Sequence, residues 1–160
     1  MTISIPLGKG FCALVDDADY PLVASHTWGV VTQNHTSYAR THIQENGQRK
    51  RILMHGLIQP TSAGMVVDHR NGNGLDNRRS NLRTSTPTQN CANRRRRRDS
   101  QWPYKGIQRT NGRGNWQARI KVDGKRYNLG SFATPEDASN AYDAAARRYF
   151  GEFARTNFQP

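Results

Sequence analysis

"VDHRNGNGLDNRRSNL", residues 67–82, sets an acid and a histidine side by side, then runs through Asn71, Gly72, Asn73 and Gly74 to a pair of arginines. It is too polar to be core. On a strand, neighbouring side chains point to opposite faces, so Asp68 and His69 can serve one site only where the strand ends and the loop wraps around it. Asn-Gly-Asn-Gly is also a good hydrogen-bonded turn, and that is the plain alternative.

The flanks give this loop a frame. "MVVDH" before it is predicted to be a short strand, "LRTST" after it a strand or extension. "PTQNCANRRRRR" (87–98) is predicted to be a helix, with Thr86 as N-cap and Pro87 in the first turn. Upstream, "TISIPL" and "FCALV" flank a Gly-Lys-Gly turn, and "DDADYPLVAS" suggests a short helix with Asp16 as a possible N-cap. "WGVVT" and "SYARTHI" bracket the turn "QNH". "NGQ" marks a further hairpin before "KRILM", and "MHGLI" has room for one helical turn. Downstream, "DSQWP" (99–103) is a linker. "YKGIQRT", "NWQARIKV" and "KRYNLGSF" are three strands separated by Asn111-Gly112 and Asp123-Gly124. Thr134 caps a closing helix with Pro135, Glu136 and Asp137 in its first turn and Gly151 at its end. Its mostly small face (Ala138, Ala141, Tyr142, Ala145, Tyr149) suits close packing on a sheet.

Charge separates the chain into parts. Of 24 Lys and Arg, sixteen fall in residues 70–126 with only three acids, a net +13 beside an overall +12. A localised basic block points to a polyanion, most often nucleic acid, over a merely solubilising surface, which mixes both signs. Hydrophobic content of 34% permits a modest core, or two thin ones. No apolar run is long enough to span a membrane, and "MTISIPLGKG" lacks the apolar segment of a signal peptide. Cys12 and Cys91 give no disulfide framework and no four-cysteine zinc site, so a reducing, cytoplasmic location is expected.

An Asp carboxylate is a hard oxygen ligand suited to Mg²⁺ or Mn²⁺, and a neutral His suits general-base work. Phosphodiester hydrolysis needs both parts. "DH…N…N" followed by a basic helix resembles the His-Asn-His nuclease family, and within it the phage-type homing endonucleases in which asparagine replaces the last histidine. "ALVDDADYPLV" and "HTWGV" resemble their N-terminal part. The resemblance implies an N-terminal ββα-metal domain. Asp68 and Asn90 would hold one divalent Mg²⁺ or Mn²⁺ and no zinc. His69 would be the general base, and Asn81, twelve residues after it, would brace the loop and orient the imidazole. Asn77 and Asn93 do not keep the spacing and read as a loop residue and a solvent or phosphate contact. His55 belongs to the same resemblance and reads as a packed structural residue; His26, His35 and His42 read as structural or exposed. Arg94, Arg95, Arg96, Arg97 and Arg98 read as a phosphate clamp, against the alternative of a solvated tail.

Residues 104–158, with "YKGIQR", "GNWQARI" and "LGSFATPEDASNAYDAAARRYFGEFARTNF", resemble the APETALA2-type DNA-binding domain. That resemblance implies a three-stranded antiparallel sheet laid in the major groove with one helix packed behind it. The DNA-contacting positions carry over to Lys105, Gln108, Arg113, Arg119, Lys121, Arg126 and Asn128. Asn128 stands where tryptophan is usual, Arg119 where an acid is usual and Gln108 where arginine is usual, so the plant target sequence does not transfer. Trp116, Leu129, Gly130 and Phe132 read as structural.

Together these readings give an α+β chain of two domains, 1–98 (metal-site core 66–98) and 104–158, joined by the linker. The expected function is a site-specific, homing-type DNA endonuclease, an enzyme of a bacterial or phage-infected cell. Its partner is double-stranded DNA, with no membrane and no small-molecule cofactor. One metal site per chain implies nicking by a monomer, the favoured state, with the oligomer left open. Two alternatives share the basic block: a non-catalytic DNA-binding regulator on a nuclease scaffold, and an RNA-binding protein.

Overall fold

A computed structural model describes residues 1–33, 35–96, 99–110 and 114–158. The fold mixes α and β structure in small antiparallel sheets and short helices, divided into two compact units, Met1–Thr86 and Pro87–Pro160. Among the described residues no helix is long and apolar enough to cross a membrane.

In the first unit β1 (Thr2–Gly8) and β2 (Phe11–Asp16) form the hairpin around Lys9, whose φ of 54° is the left-handed turn conformation. α1 (Tyr20–Ala24) follows a single 3-10 turn. Asp16 does not cap that turn through its side chain, because its carboxylate accepts the Arg79 backbone N–H at 2.8 Å. A three-stranded sheet comes next: β3 (Gly29–Gln33), β4 (Thr36–Glu45) and β5 (Gln48–Leu53), in that order. α2 (Met54–Ile58) leads to β6 (Val66–His69), which pairs with β7 (Leu82–Ser85) across the polar loop. Ile5 and Leu7 alternate inward on β1, Ala13 and Val15 on β2, and they meet Val23, Trp28, Met54, Ile58 and Leu82 in one core. Each large apolar side chain so buried contributes about 1.5–3 kcal/mol.

In the second unit α3 (Pro87–Ala92) is followed by β8 (Ile107–Arg109), β9 (Trp116–Val122) and β10 (Lys125–Phe132), a sheet with β9 in the middle. Asp123, at φ 46°, turns the β9–β10 hairpin. α4 (Pro135–Phe150) is capped as its sequence predicts: Thr134 Oγ1 accepts the Asp137 N–H at 3.1 Å and donates to the Asp137 carboxylate at 2.7 Å. Its inner face, with Ala138, Tyr142, Ala146 and Phe150, packs on Ile107, Ala118 and Ile120. The tail is tied down by Asp143, 1% exposed, whose carboxylate accepts the backbone N–H of Asn157 and of Phe158, each at 2.9 Å.

One element is shorter than its sequence predicts. The helix expected through residue 98 ends at Ala92, and Arg94 to Arg96 have no regular structure; Arg97 and Arg98 lie outside the described residues. Continuing the helix would require the Ala92 carbonyl to accept from Arg96. That carbonyl instead accepts from the Lys105 ammonium and from the Arg155 N–H. Like charges four residues apart would add a further cost.

Candidate active-site loop and nucleic-acid face

The polar loop replaces ordinary ladder pairing with a network of its own side chains. The Asn81 amide reaches both limbs: Oδ1 accepts from the Asn71 N–H at 3.0 Å and Nδ2 donates to the Asp76 carbonyl at 2.7 Å. Asn71 Oδ1 accepts from the Asn73 N–H at 2.8 Å, an Asx turn, and Asn71 Nδ2 donates to the Asp76 carboxylate at 2.9 Å. Arg78 holds the same carboxylate through two bonds of 2.7 Å. Asp76 is 2% exposed, and the Arg78 guanidinium keeps its carboxyl below the usual carboxylate range.

The network is seated on distant chain. Leu14 on β2 clips the loop on both sides, donating to the Leu75 carbonyl and accepting from the Asn77 N–H, each at 2.8 Å. Arg79 donates to Asp19 at 2.7 Å. Gly74 lies so close to β4 that a Cβ there would sit 2.5 Å from the Ser37 carbonyl oxygen and 2.5 Å from the Tyr38 ring.

Asp68 and His69 sit where the strand meets this loop, 3% and 6% exposed. The Asp68 carboxylate accepts from Arg83 Nε at 2.8 Å, its directly paired neighbour on β7, and this fixes the rotamer of a buried acid. The His69 ring is walled by His55, edge-on at 5.0 Å between centroids, and by Tyr38 at 5.9 Å. His69 Nε2 lies 3.3 Å from Asn77 Oδ1. Asn77 is fully buried, and its Nδ2 donates to the Leu75 carbonyl at 3.3 Å, which leaves Oδ1 only the role of acceptor. Neutral His69 therefore carries its proton on Nε2 and its basic lone pair on Nδ1. Burial lowers the His69 pKa, opposed by the Asn77 hydrogen bond and by Asp68 and Asp76.

Sequence reading assigned the orienting of His69 to Asn81 and left Asn77 as a loop residue. The geometry divides the work: Asn81 braces the loop, and Asn77 touches the imidazole. No motif spacing marks Asn77; its burial beneath the loop does. His55 is likewise closer to the site than a packed residue needs to be. Its pKa is lowered to about 3, by burial first and by the neighbouring His69 second.

A pH dependence follows. An unfolded imidazole takes up a proton below about pH 6.5, whereas folded His55 stays neutral down to about pH 3. Below 6.5 the unfolded state binds the extra proton, so stability falls as pH drops from 6.5 toward 3, by up to about 1.4 kcal/mol per pH unit. His55→Phe keeps the ring packing and removes this contribution. Urea midpoints measured from pH 7 to pH 4 should fall less steeply in the variant, and identical slopes would show that His55 is not the titrating group.

Asn90 lies half-buried on α3, two residues before the helix end. Asn93, expected at solvent or phosphate, is buried at 7% exposure, and its Oδ1 accepts from Arg155 Nε at 3.3 Å. Arg96, expected on phosphate, donates to the Ser100 and Trp102 carbonyls at 3.0 and 3.1 Å and thereby closes the linker.

On the sheet, strand alternation sorts the expected DNA contacts. Ala118 and Ile120 of β9 point to α4, so Arg119 and Lys121 point outward and are exposed. Asn128 pairs with Arg119 and Arg126 with Lys121 in register, which puts both on that outer face; Gln108, opposite Gln117, joins them. A shallow cavity of about 290 Å³ is lined by Gln108, Arg119, Lys121 and Arg126. Lys105 does not join this face. Its ammonium is turned in to the Ala92 and Arg155 carbonyls and lies 5.8 Å from the Tyr142 ring centre, and burial lowers its pKa to about 8. Arg113 lies outside the described residues.

Residues 55–92 match the family model described as HNH endonuclease. The chain is 29% identical over 151 residues to an uncharacterized HNH endonuclease of Acanthamoeba polyphaga mimivirus, covering 94% of this chain and 76% of that protein. It is 50% identical over 58 residues to an AP2-like ethylene-responsive transcription factor of Arabidopsis thaliana, covering 35% of this chain and 12% of that one. A rice factor of the same description is 49% identical over 57 residues, 34% of this chain and 9% of its own. The chain thus spans about a tenth of these plant proteins. With an HNH endonuclease domain in residues 55–92, the chain is an enzyme of the nuclease class.

Proposed function

We propose that the protein is a site-specific, homing-type DNA endonuclease that hydrolyses a phosphodiester with His69 as general base and nicks as a monomer in the cytoplasm. The observation that carries this reading is the enclosed, neutral His69, whose Nε2 faces Asn77 and whose Nδ1 therefore bears the lone pair. The donor set fits a hard divalent cation: a carboxylate on Asp68 and an amide oxygen on Asn90, with no thiolate. When bound, Mg²⁺ or Mn²⁺ neutralises charge on the scissile phosphate and its leaving oxygen. Asp68, held by Arg83, and Asn90 are the proposed ligands, and a ββα-metal fold is the proposed class of this domain. His69 Nδ1 takes the proton of the attacking water, and Asn81 keeps the loop from opening.

The outer sheet face supplies the duplex grip, with Arg119, Lys121 and Arg126 on phosphates and Gln108 and Asn128 in reach of base edges. Arg94, Arg95, Arg97, Arg98 and Arg113 add positive charge along the backbone. Arg119→Ala and Lys121→Ala should each weaken binding and lower the slope of log affinity against log salt by about one. Gel shifts across a salt series read this directly, and unchanged slopes would remove those residues from the interface.

The deciding experiment incubates the chain with supercoiled plasmid and with host DNA, in Mg²⁺ or in EDTA. Relaxed circles that require Mg²⁺ support a monomeric nicking enzyme, and linear product points to paired cuts. A gel shift on intact DNA would replace this reading with the regulator.

A further inference from the structure

α3 has only six residues, too few for a helix to persist unsupported in water. Several contacts hold it at its C-terminal end. Ala92 is 6% exposed and packs with Tyr142, Ala146 and Phe150. The Ala92 carbonyl, one of the groups a helix end leaves without a partner, accepts from the Lys105 ammonium and from the Arg155 N–H. Arg155 Nε holds Asn93 Oδ1 at 3.3 Å, and Lys105 also donates to the Arg155 carbonyl at 3.4 Å. A cation at a helix C-terminus is further favoured by the helix dipole. Asn90 stands two residues from this clasp.

We infer that Lys105 and Arg155 are positioning residues for Asn90, so that the C-terminal module contributes to the cutting step as well as to DNA affinity. The inference rests on the assignment of Asn90 as a metal ligand. Neither side chain touches the reacting atoms. They set where the helix carries the amide oxygen, as partners behind a metal ligand do elsewhere, and loss of such partners weakens metal affinity about 10–100-fold.

The test uses the full chain, with Lys105→Met, Arg155→Gln, Lys105→Arg and Asn90→Ala beside the parent. Mn²⁺ affinity is read by the electron paramagnetic resonance of free Mn²⁺ on the DNA-bound protein, DNA affinity by gel shift in EDTA, and cutting under single-turnover conditions at saturating protein. We expect Mn²⁺ affinity and cutting rate to fall together, about tenfold or more, in Lys105→Met and Arg155→Gln. DNA affinity should stay within about twofold, and Lys105→Arg should recover part of the loss. If one variant does not fold, the other carries the test. Normal Mn²⁺ affinity in both, with Asn90→Ala impaired, overturns this inference alone. Loss of DNA affinity in step with cutting overturns it too, since that is general unfolding of the module. Normal Mn²⁺ affinity in Asn90→Ala overturns the ligand assignment and this inference with it.

Discussion

His69→Ala should lower the single-turnover cutting rate by about 10²–10⁴-fold, the range general-base catalysis supplies. DNA affinity should be retained, because the outer sheet face lies in a separate unit from His69. His69→Gln belongs beside it, since removing a 6%-exposed ring leaves a space next to Tyr38 and His55 that could loosen the fold by itself. The parent's pH profile supplies the independent sign. Only the neutral imidazole accepts a proton from water, and burial lowers its pKa from 6.5. The rate should therefore hold as pH falls through 6.5 and decline on the acid side of it. A rate that survives in both variants would remove His69 from the chemistry, and an acid limb centred above pH 6.5 would contradict its burial.

Gly106→Ala should cost the second unit about 2–5 kcal/mol. Gly106 has φ +81°, where a side chain costs about 1–2 kcal/mol. A Cβ there would also stand 1.9 Å from Cδ2 of the Tyr142 ring. That ring is 5% exposed and wedged among Ala92, Ile120, Ala146 and Phe150, so it cannot swing away without opening the core; overpacking of this kind adds about 1–3 kcal/mol. The Gly106 carbonyl also accepts from the Arg119 N–H at 2.8 Å, so any backbone shift is passed to a strand of the DNA face. A thermal melt should show the loss, and gel shifts should weaken with it. A change under about 1 kcal/mol would mean that the Tyr142 ring relocates freely.

The β9–β10 turn and the α4 cap were legible in the sequence because they are local, whereas the Asp16 carboxylate went to Arg79, 63 residues away. Asp123 takes the left-handed conformation its Asp-Gly pair predicts, and Thr134 caps α4 through Asp137. The acid–histidine pair at a strand end was legible too, whereas the five described polar residues of the outer sheet face followed from the resemblance to the APETALA2-type domain, and strand pairing places them on one side. What escaped depends on partners remote in sequence. Asn77 meets His69 only because the loop folds under itself. Lys105 and Arg96 have the composition of phosphate contacts, yet each is spent on a backbone carbonyl: Ala92 for the first, Ser100 and Trp102 for the second. The helix stop at Ala92 was hidden for the same reason, as arginine is a good helix former and nothing in the run announces that its carbonyl is already taken.

The anchoring of the polar loop has a kinetic consequence. Arg79 finds its partners Asp16 and Asp19 at separations of 63 and 60 residues, and Leu14 holds the loop at a similar remove. Contacts of such high order form late, after the intervening chain has been gathered in. A ribosome releasing this chain in N-to-C order exposes the Asp-His pair well after its anchors, so the first hairpin is waiting when the loop emerges. A truncated product that lacks residues 1–19 would lose Leu14, Asp16 and Asp19 together and leave the loop without these anchors.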